Sequence, residues 1–102
     1  MGNPIEYTFV LSGDVYHQKK KTFHKLLRKY QFKWKGKLPI FRWHSIGQSV
    51  IAEFDRVGDE TKEAKITWMG MSETSFLDEL KELFKHEVRD GSEEEKDEQG
   101  AW

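Results

Sequence analysis

The sequence contains no cysteine, and this absence removes several kinds of chemistry. Disulfide bridges, thiolate metal sites and cysteine nucleophiles are all excluded. A chain without disulfides also fits the reducing cytoplasm, where we expect the protein to work. The chain has four histidines, His17, His24, His44 and His86. Their spacing does not match a known zinc motif. The sequence therefore predicts neither a metal site nor a cofactor.

Long hydrophobic runs are also missing from the chain. Apolar residues make up 36% of the sequence, and no apolar run approaches the roughly 20 residues that a membrane-spanning helix needs. The first residues, 1–6, lack the positive charge and following apolar run of a signal peptide. We therefore expect a soluble protein that does not associate with membranes.

Each half of the chain is poor in charge of one sign. Residues 1–47 carry ten Lys and Arg against two acidic residues, a net charge of +8. Residues 48–102 carry seven basic residues against sixteen acidic ones, a net charge of −9, so that the total is only −1. A basic region of this size commonly binds a polyanion or an acidic protein segment. Nucleic acid and protein are therefore the partner classes that the charge distribution favours.

Hydrophobic periodicity predicts an α+β fold with the order strand, helix, three or four antiparallel strands, helix. The predicted strands are Ile5 to Leu11, Ile40 to His44, Ser49 to Val57 and Glu63 to Met69, with a short edge strand or irregular loop at Gln31 to Lys37. The predicted helices are Val15 to Tyr30, with Asp14 as N-cap, and about Ser72 or Ser75 to Arg89, with a capping box of Ser75 and Asp78. An economical arrangement places both helices on one face of the sheet.

These elements predict a single domain over residues 4–90, followed by a disordered acidic tail over residues 91–102. A five-residue loop, Gly58 to Lys62, would join two strands with Asp55 opposite Lys65 and Glu53 beside Thr67. The two carboxylates then belong to an ordinary solvated face with a cross-strand ion pair. The sequence therefore offers no support for an acid–base enzyme.

The basic helix and the segment after it contain the candidate site. Lys and Arg neutralise phosphates, whereas exposed aromatic rings stack on unpaired bases, and residues 19–43 contain both types of side chain. The predicted phosphate contacts are Lys21, Lys25, Arg28 and Lys29, extended by Lys33, Lys35, Lys37 and Arg42, and the predicted stacking residue is Trp34. The pattern favours a small non-enzymatic module that binds RNA or single-stranded nucleic acid.

Other interpretations of the same residues remain open. A solvated helix face beside a lysine-protected edge strand, with every aromatic ring in the core, would produce the same pattern. The basic and acidic halves of neighbouring molecules could also meet, which would make the chain a protein-interaction or self-association module. The acidic tail could fold over the basic helix and compete with a ligand, or it could serve only to keep the protein in solution.

Overall fold

The strands of the protein form one antiparallel sheet, with two helices in the connections. The computed structural model describes residues 3–85 and 88–89. The elements in this part of the chain are β1 (Ile5–Ser12), α1 (Gly13–Lys29), β2 (Lys33–Lys37), β3 (Ile40–Ser45), β4 (Gln48–Val57), β5 (Glu60–Gly70), α2 (Ser75–Leu83) and β6 (Val88–Arg89). The strand order in the sheet is β2-β3-β4-β5-β1-β6. The predicted α+β class and antiparallel sheet are confirmed.

Helix α1 begins two residues earlier than predicted, and its N-cap is Ser12 rather than Asp14. The hydroxyl of Ser12 accepts a hydrogen bond of 3.2 Å from the backbone N–H of Val15, which satisfies one of the free donors at the helix start. The next residue, Gly13, is buried against β5, where a Cβ atom would overlap the carbonyl oxygen of Thr61. This close approach explains why a glycine stands in the first turn of the helix.

The helical period of the sequence predicts one apolar stripe on α1, formed by Tyr16, Phe23, Leu26, Leu27 and Tyr30, and the structure confirms it. Its buried members are Tyr16, Phe23, Leu26 and Leu27, and Tyr30 follows, partly buried, as the C-cap. The ring centroid of Phe23 lies 5.5 Å from that of Trp43 in β3 and 5.6 Å from that of Phe84 after α2. These contacts hold α1 against the β3 side of the sheet and leave its lysine-rich side exposed.

The predicted register of the β4–β5 hairpin is wrong by two residues. A two-residue turn, Gly58-Asp59, joins the strands, and Gly58 adopts a φ of +62° that suits such a tight turn. Glu53 therefore lies opposite Lys65, and Asp55 lies opposite Glu63. Because the displacement over residues 48–55 is an even number of residues, the side chains there keep their predicted face of the sheet. An irregularity between Asp55 and Arg56 shifts the last two pairs of the hairpin by one residue more.

Helix α2 is shorter than predicted. Its N-cap is Thr74, whose hydroxyl accepts a hydrogen bond of 3.2 Å from the backbone N–H of Leu77. The helix ends at Leu83 instead of Arg89, and residues 88–89 pair with β1 as a closing strand that the periodicity did not predict. A two-residue strand is too short to show alternation. The predicted tail, residues 91–102, lies outside the described residues.

The core cluster receives side chains from the sheet and from both helices. The largest completely buried side chains are Trp68, Phe9, Phe23, Phe76, Phe84, Leu11, Ile66, Leu77, Leu80 and Val50. Five of these ten are aromatic, so few positions supply much apolar area. The cluster thereby packs against α1 and the neighbouring strand β3, and both elements contribute to the candidate site.

Candidate nucleic-acid interface

The hairpin of β2 and β3 forms one edge of the sheet. All five residues of β2 are exposed, and among the described strands it pairs only with β3. In this register Trp34 lies opposite Trp43, and Lys35 lies opposite Arg42. Because successive side chains of a strand point to opposite faces, Trp34 and the lysines next to it lie on different sides of the sheet.

A groove with a volume of about 390 Å³ separates α1 from this hairpin, and we call it the aromatic groove. Its lining residues are His24, Leu27, Arg28, Phe32, Trp34, Phe41 and Trp43. The Trp34 side chain is 60% exposed, and its ring centroid lies 5.7 Å from that of Phe41. Trp43, by contrast, is only 5% exposed. Trp34 therefore offers the accessible ring that base stacking requires.

A second recess, of about 400 Å³, lies beside the aromatic groove on the surface of α1, and we call it the basic recess. Its lining residues are Lys20, Lys21, Thr22, His24, Lys25 and Arg28. His24 and Arg28 line both depressions, so that the two are adjacent. Within residues 3–85, no ion pair neutralises the Lys and Arg side chains of this recess. The fold thus places positive charge directly beside an accessible indole.

His24 lies where the aromatic groove meets the basic recess. Its Nε2 atom is 3.5 Å from the hydroxyl of Tyr16, and its ring centroid is 5.8 Å from that of Trp43. Burial, together with the positive charges of Lys20 and Arg28, lowers the pKa of His24 below its ordinary value of 6.5. The ring is therefore neutral at pH 7, and a nearby anion would favour its protonated form.

Lys29 differs from the other cations predicted on α1, because it already has a partner in α2. Its Nζ atom lies 3.0 Å from a carboxylate oxygen of Glu79, and the same carboxylate accepts a hydrogen bond from the hydroxyl of Tyr30. These hydrogen bonds from Tyr30 and Lys29 lower the pKa of Glu79, and the bond to Glu79 raises the pKa of Lys29. Lys29 thus faces α2 and does not line the basic recess.

The remaining predicted cations lie along the edge hairpin. Lys33, Lys35 and Arg42 occupy strand positions whose side chains point away from the Trp34 side of the sheet. Lys37 follows Gly36, which adopts a φ of +105° near the end of β2. The basic residues that are continuous in the sequence therefore lie on two different surfaces, one on α1 and one on the face of the sheet opposite to Trp34.

Seven residues that line the two depressions are absent from the predicted site: Lys20, Thr22, His24, Leu27, Phe32, Phe41 and Trp43. A signal for two of them was present, because Lys20, His24 and Arg28 follow one another at intervals of four and so share a helix face. Phe41 carried no such signal, since alternation alone cannot tell which face of an edge hairpin is covered.

Comparison of the chain with protein-family models, with curated proteins and with solved structures gives no match. Among the residues that the structure describes, no helix has the length and apolar character needed to cross a membrane. In the same part of the chain, no group of three or more histidine and carboxylate side chains could hold a metal ion. The interface is therefore interpreted from its own geometry and charge.

Proposed function

We propose that this domain is a non-enzymatic module that binds single-stranded nucleic acid, either RNA or DNA, in the aromatic groove and the basic recess. The observation that carries the proposal is the adjacency of the two depressions, which share His24 and Arg28 as lining residues. An accessible indole stacks on an unpaired base, and lysines neutralise the phosphates that flank it. A single-stranded polynucleotide presents both of these groups at close spacing.

The arrangement of α1 supports an extended strand as the ligand. Lys21 and Lys25 are four residues apart on one exposed face of the helix, about 5–6 Å between their Cβ atoms. A phosphate backbone that follows this face brings its bases towards Trp34 across Arg28. In a duplex both faces of each base are already covered, so that stacking on Trp34 would require the base to leave the stack.

The charge of the described domain also supports a polyanionic ligand. Residues 3–85 carry 15 Lys and Arg against 11 Asp and Glu, a net charge of +4, although the whole chain is slightly negative. Ten of these fifteen cations lie within residues 19–42. Because exposed charges are screened by salt, binding through this region should weaken as the ionic strength rises.

Replacement of Trp34 by alanine tests the stacking role. We expect Trp34→Ala to weaken binding of short RNA and single-stranded DNA about tenfold, because one base–aromatic stack contributes about 1–3 kcal/mol. Trp34→Phe, which keeps a ring, should lose less. Fluorescence anisotropy with labelled oligonucleotides measures both affinities. Met71→Ala is a matched control, since this apolar side chain is similarly exposed (63%) and does not line either depression; equal losses in Trp34→Ala and the control would refute stacking on Trp34.

The affinity should also rise as the pH falls from about 7.5 to about 5.5. In the free protein burial, together with the positive charges of Lys20 and Arg28, lowers the pKa of His24, and a bound phosphate would raise it again. A group whose pKa rises on binding takes up a proton, so the complex gains affinity below the pKa that His24 has in the complex. Anisotropy titrations at several pH values measure this gain. The gain in affinity at low pH should disappear in His24→Gln. An unchanged gain in that variant would mean that a group other than His24 takes up the proton.

Self-association of the protein is the competing hypothesis, and light scattering tests it. Light scattering at low and high salt, without nucleic acid, shows whether basic and acidic regions of neighbouring molecules meet. A salt-sensitive dimer that binds no oligonucleotide would support a protein-interaction module instead. A monomer that binds single strands in a salt-dependent manner would support the proposal.

A further inference from the structure

The outer side of the β2–β3 hairpin carries a second group of cations, which the aromatic groove and the basic recess do not use. Lys33 lies opposite His44, and Lys35 lies opposite Arg42, so that the four side chains form a two-by-two block. All four are exposed, and we call them the cationic block after its three cations, Lys33, Lys35 and Arg42. Like charges directly opposite each other destabilise an antiparallel pair, and Lys35 with Arg42 is such a pair.

No described residue neutralises the cationic block through an ion pair. The next strand, β4, places Ser49 opposite His44 and Ile51 opposite Arg42. Glu53, two residues further along β4 on the same face, lies opposite Lys65 of β5. The block therefore keeps its positive charge.

Protection of the sheet edge explains only part of this block. Lysines on an edge strand prevent the edges of two sheets from pairing, and Lys33 and Lys35 on β2 would serve that purpose. Arg42 and His44, however, lie on β3, which is paired on both sides and needs no such protection. Edge protection therefore does not account for Arg42, whose guanidinium adds to the positive charge of the lysines.

A recess of about 440 Å³ at one end of the block offers space for an anionic partner. Its lining residues are Gln31, Lys33, His44, Ser45 and Ile46. The ammonium, hydroxyl, amide and imidazole groups of these side chains can all donate hydrogen bonds, and the ammonium of Lys33 is the charged donor that suits a phosphate oxygen.

We infer that the cationic block binds the phosphate backbone of the same strand whose base stacks on Trp34, so that the nucleic acid turns around the β2 edge. This inference rests on the proposed function. Lys33, Trp34 and Lys35 are consecutive, so one short segment presents an indole on one side of the sheet and two ammonium groups on the other. Within the described residues, β2 has no neighbour on its outer side that would obstruct this path.

The test compares two oligonucleotide lengths, one of about four nucleotides that fills the aromatic groove and one of about twelve that can also reach the block. We expect Lys33→Gln with Lys35→Gln to weaken binding of the long strand about tenfold at about 50 mM salt. The salt slope, log affinity against log salt, should become shallower by about 1.4, since each phosphate contact on a single strand contributes about 0.7. Binding of the short strand should not change.

The matched control is Lys62→Gln with Lys85→Gln, which removes the same charge from exposed lysines distant in sequence from the hairpin. We expect this variant to bind both strands like the unmodified protein. Lys33→Arg with Lys35→Arg keeps the charge and should keep the affinity. Light scattering of each variant verifies that loss of the edge lysines has not caused association.

The outcomes separate this inference from the proposed function. If the Lys33/Lys35 glutamine variant loses no more affinity for the long strand than the control, the inference is wrong and binding in the aromatic groove stands. If it loses affinity equally for both strands, these lysines act at the groove and the strand does not turn around the edge. If the unmodified protein binds neither strand, the proposed function itself fails.

Discussion

Reversal of charge at Lys21 and Lys25 is expected to abolish binding of single-stranded nucleic acid. Lys21→Glu with Lys25→Glu replaces two cations of the basic recess by two anions that repel phosphates. We expect an affinity loss of about 100-fold or more at about 50 mM salt, because both phosphate contacts are lost and repulsion is added. Anisotropy titrations at about 50 and about 200 mM salt measure the affinity and its salt slope.

Lys29 is deliberately absent from this variant. The sequence predicted it as a phosphate contact, but its ammonium group lies 3.0 Å from the carboxylate of Glu79. Lys29→Glu would bring two carboxylates together between α1 and α2, and a loss of binding could then result from a disturbed fold. Variants confined to Lys21 and Lys25 avoid this ambiguity, since both side chains are exposed and have no ion pair within residues 3–85.

The control for the charge reversal changes the net charge by the same amount at another place. Lys62→Glu with Lys85→Glu alters two exposed lysines that line neither the aromatic groove nor the basic recess. Their ion pairs, with Glu60 and Glu82, are local and do not join α1 to α2, and circular dichroism verifies that the variant keeps its fold. We expect this variant to keep most of its affinity. Equal losses in the two double variants would mean that only the net charge matters. Unchanged binding of the Lys21/Lys25 variant at low salt would show that the basic recess is not the site.

Replacement of Trp68 by alanine is expected to cause the largest loss of stability. Trp68 is completely buried in β5, and its indole N–H donates a hydrogen bond of 2.8 Å to the side-chain oxygen of Gln48. Its ring also lies against Gly70, where a Cβ atom would come within 2.7 Å. Truncation of a large buried aromatic side chain costs about 3–5 kcal/mol, out of the roughly 5–15 kcal/mol that stabilises a typical domain. Urea unfolding, followed by circular dichroism, measures the shift of the midpoint.

Two further variants identify the source of this loss. Trp68→Phe keeps most of the buried ring but removes the donor to Gln48, so we expect a smaller loss of about 1–3 kcal/mol. Ile46→Ala changes a side chain that is 98% exposed in the β3–β4 turn and should alter stability by less than about 0.5 kcal/mol. If Trp68→Ala lost no more stability than Ile46→Ala, Trp68 would not lie in the core.

The parts of the fold that were predicted correctly are those with a repeated local pattern. The apolar stripe of α1 extends over about four turns, and its buried residues emerge from the helical period alone. Alternation in β1 likewise predicts that Phe9 and Leu11 are buried. In the β4–β5 hairpin the same alternation predicts the correct faces, although the register is wrong, because a shift of two residues leaves each face unchanged.

The parts that were predicted wrongly are those where the local sequence is compatible with two structures, such as two possible N-caps or a helix that could end at two places. Ser12 and Asp14 are both good N-cap residues. In the structure Ser12 is the N-cap, and the helix begins at Gly13, which packs closely against the Thr61 carbonyl. At the end of α2, pairing of residues 88–89 with β1 replaces the helical continuation that the sequence pattern favoured. Such choices follow from contacts between residues far apart in the chain.

The sequence by itself determined the charge separation of the chain, the absence of cysteine chemistry and the location of the basic and aromatic residues within residues 19–43. Only the tertiary structure decided which of these residues can act together. Packing of Phe23 against Trp43 buries one indole and leaves Trp34 accessible, while the pleat of β2 turns Lys33 and Lys35 to the other side of the sheet. The physical reason is that accessibility and the covered face of a strand depend on what packs against it, and for this hairpin that element is α1.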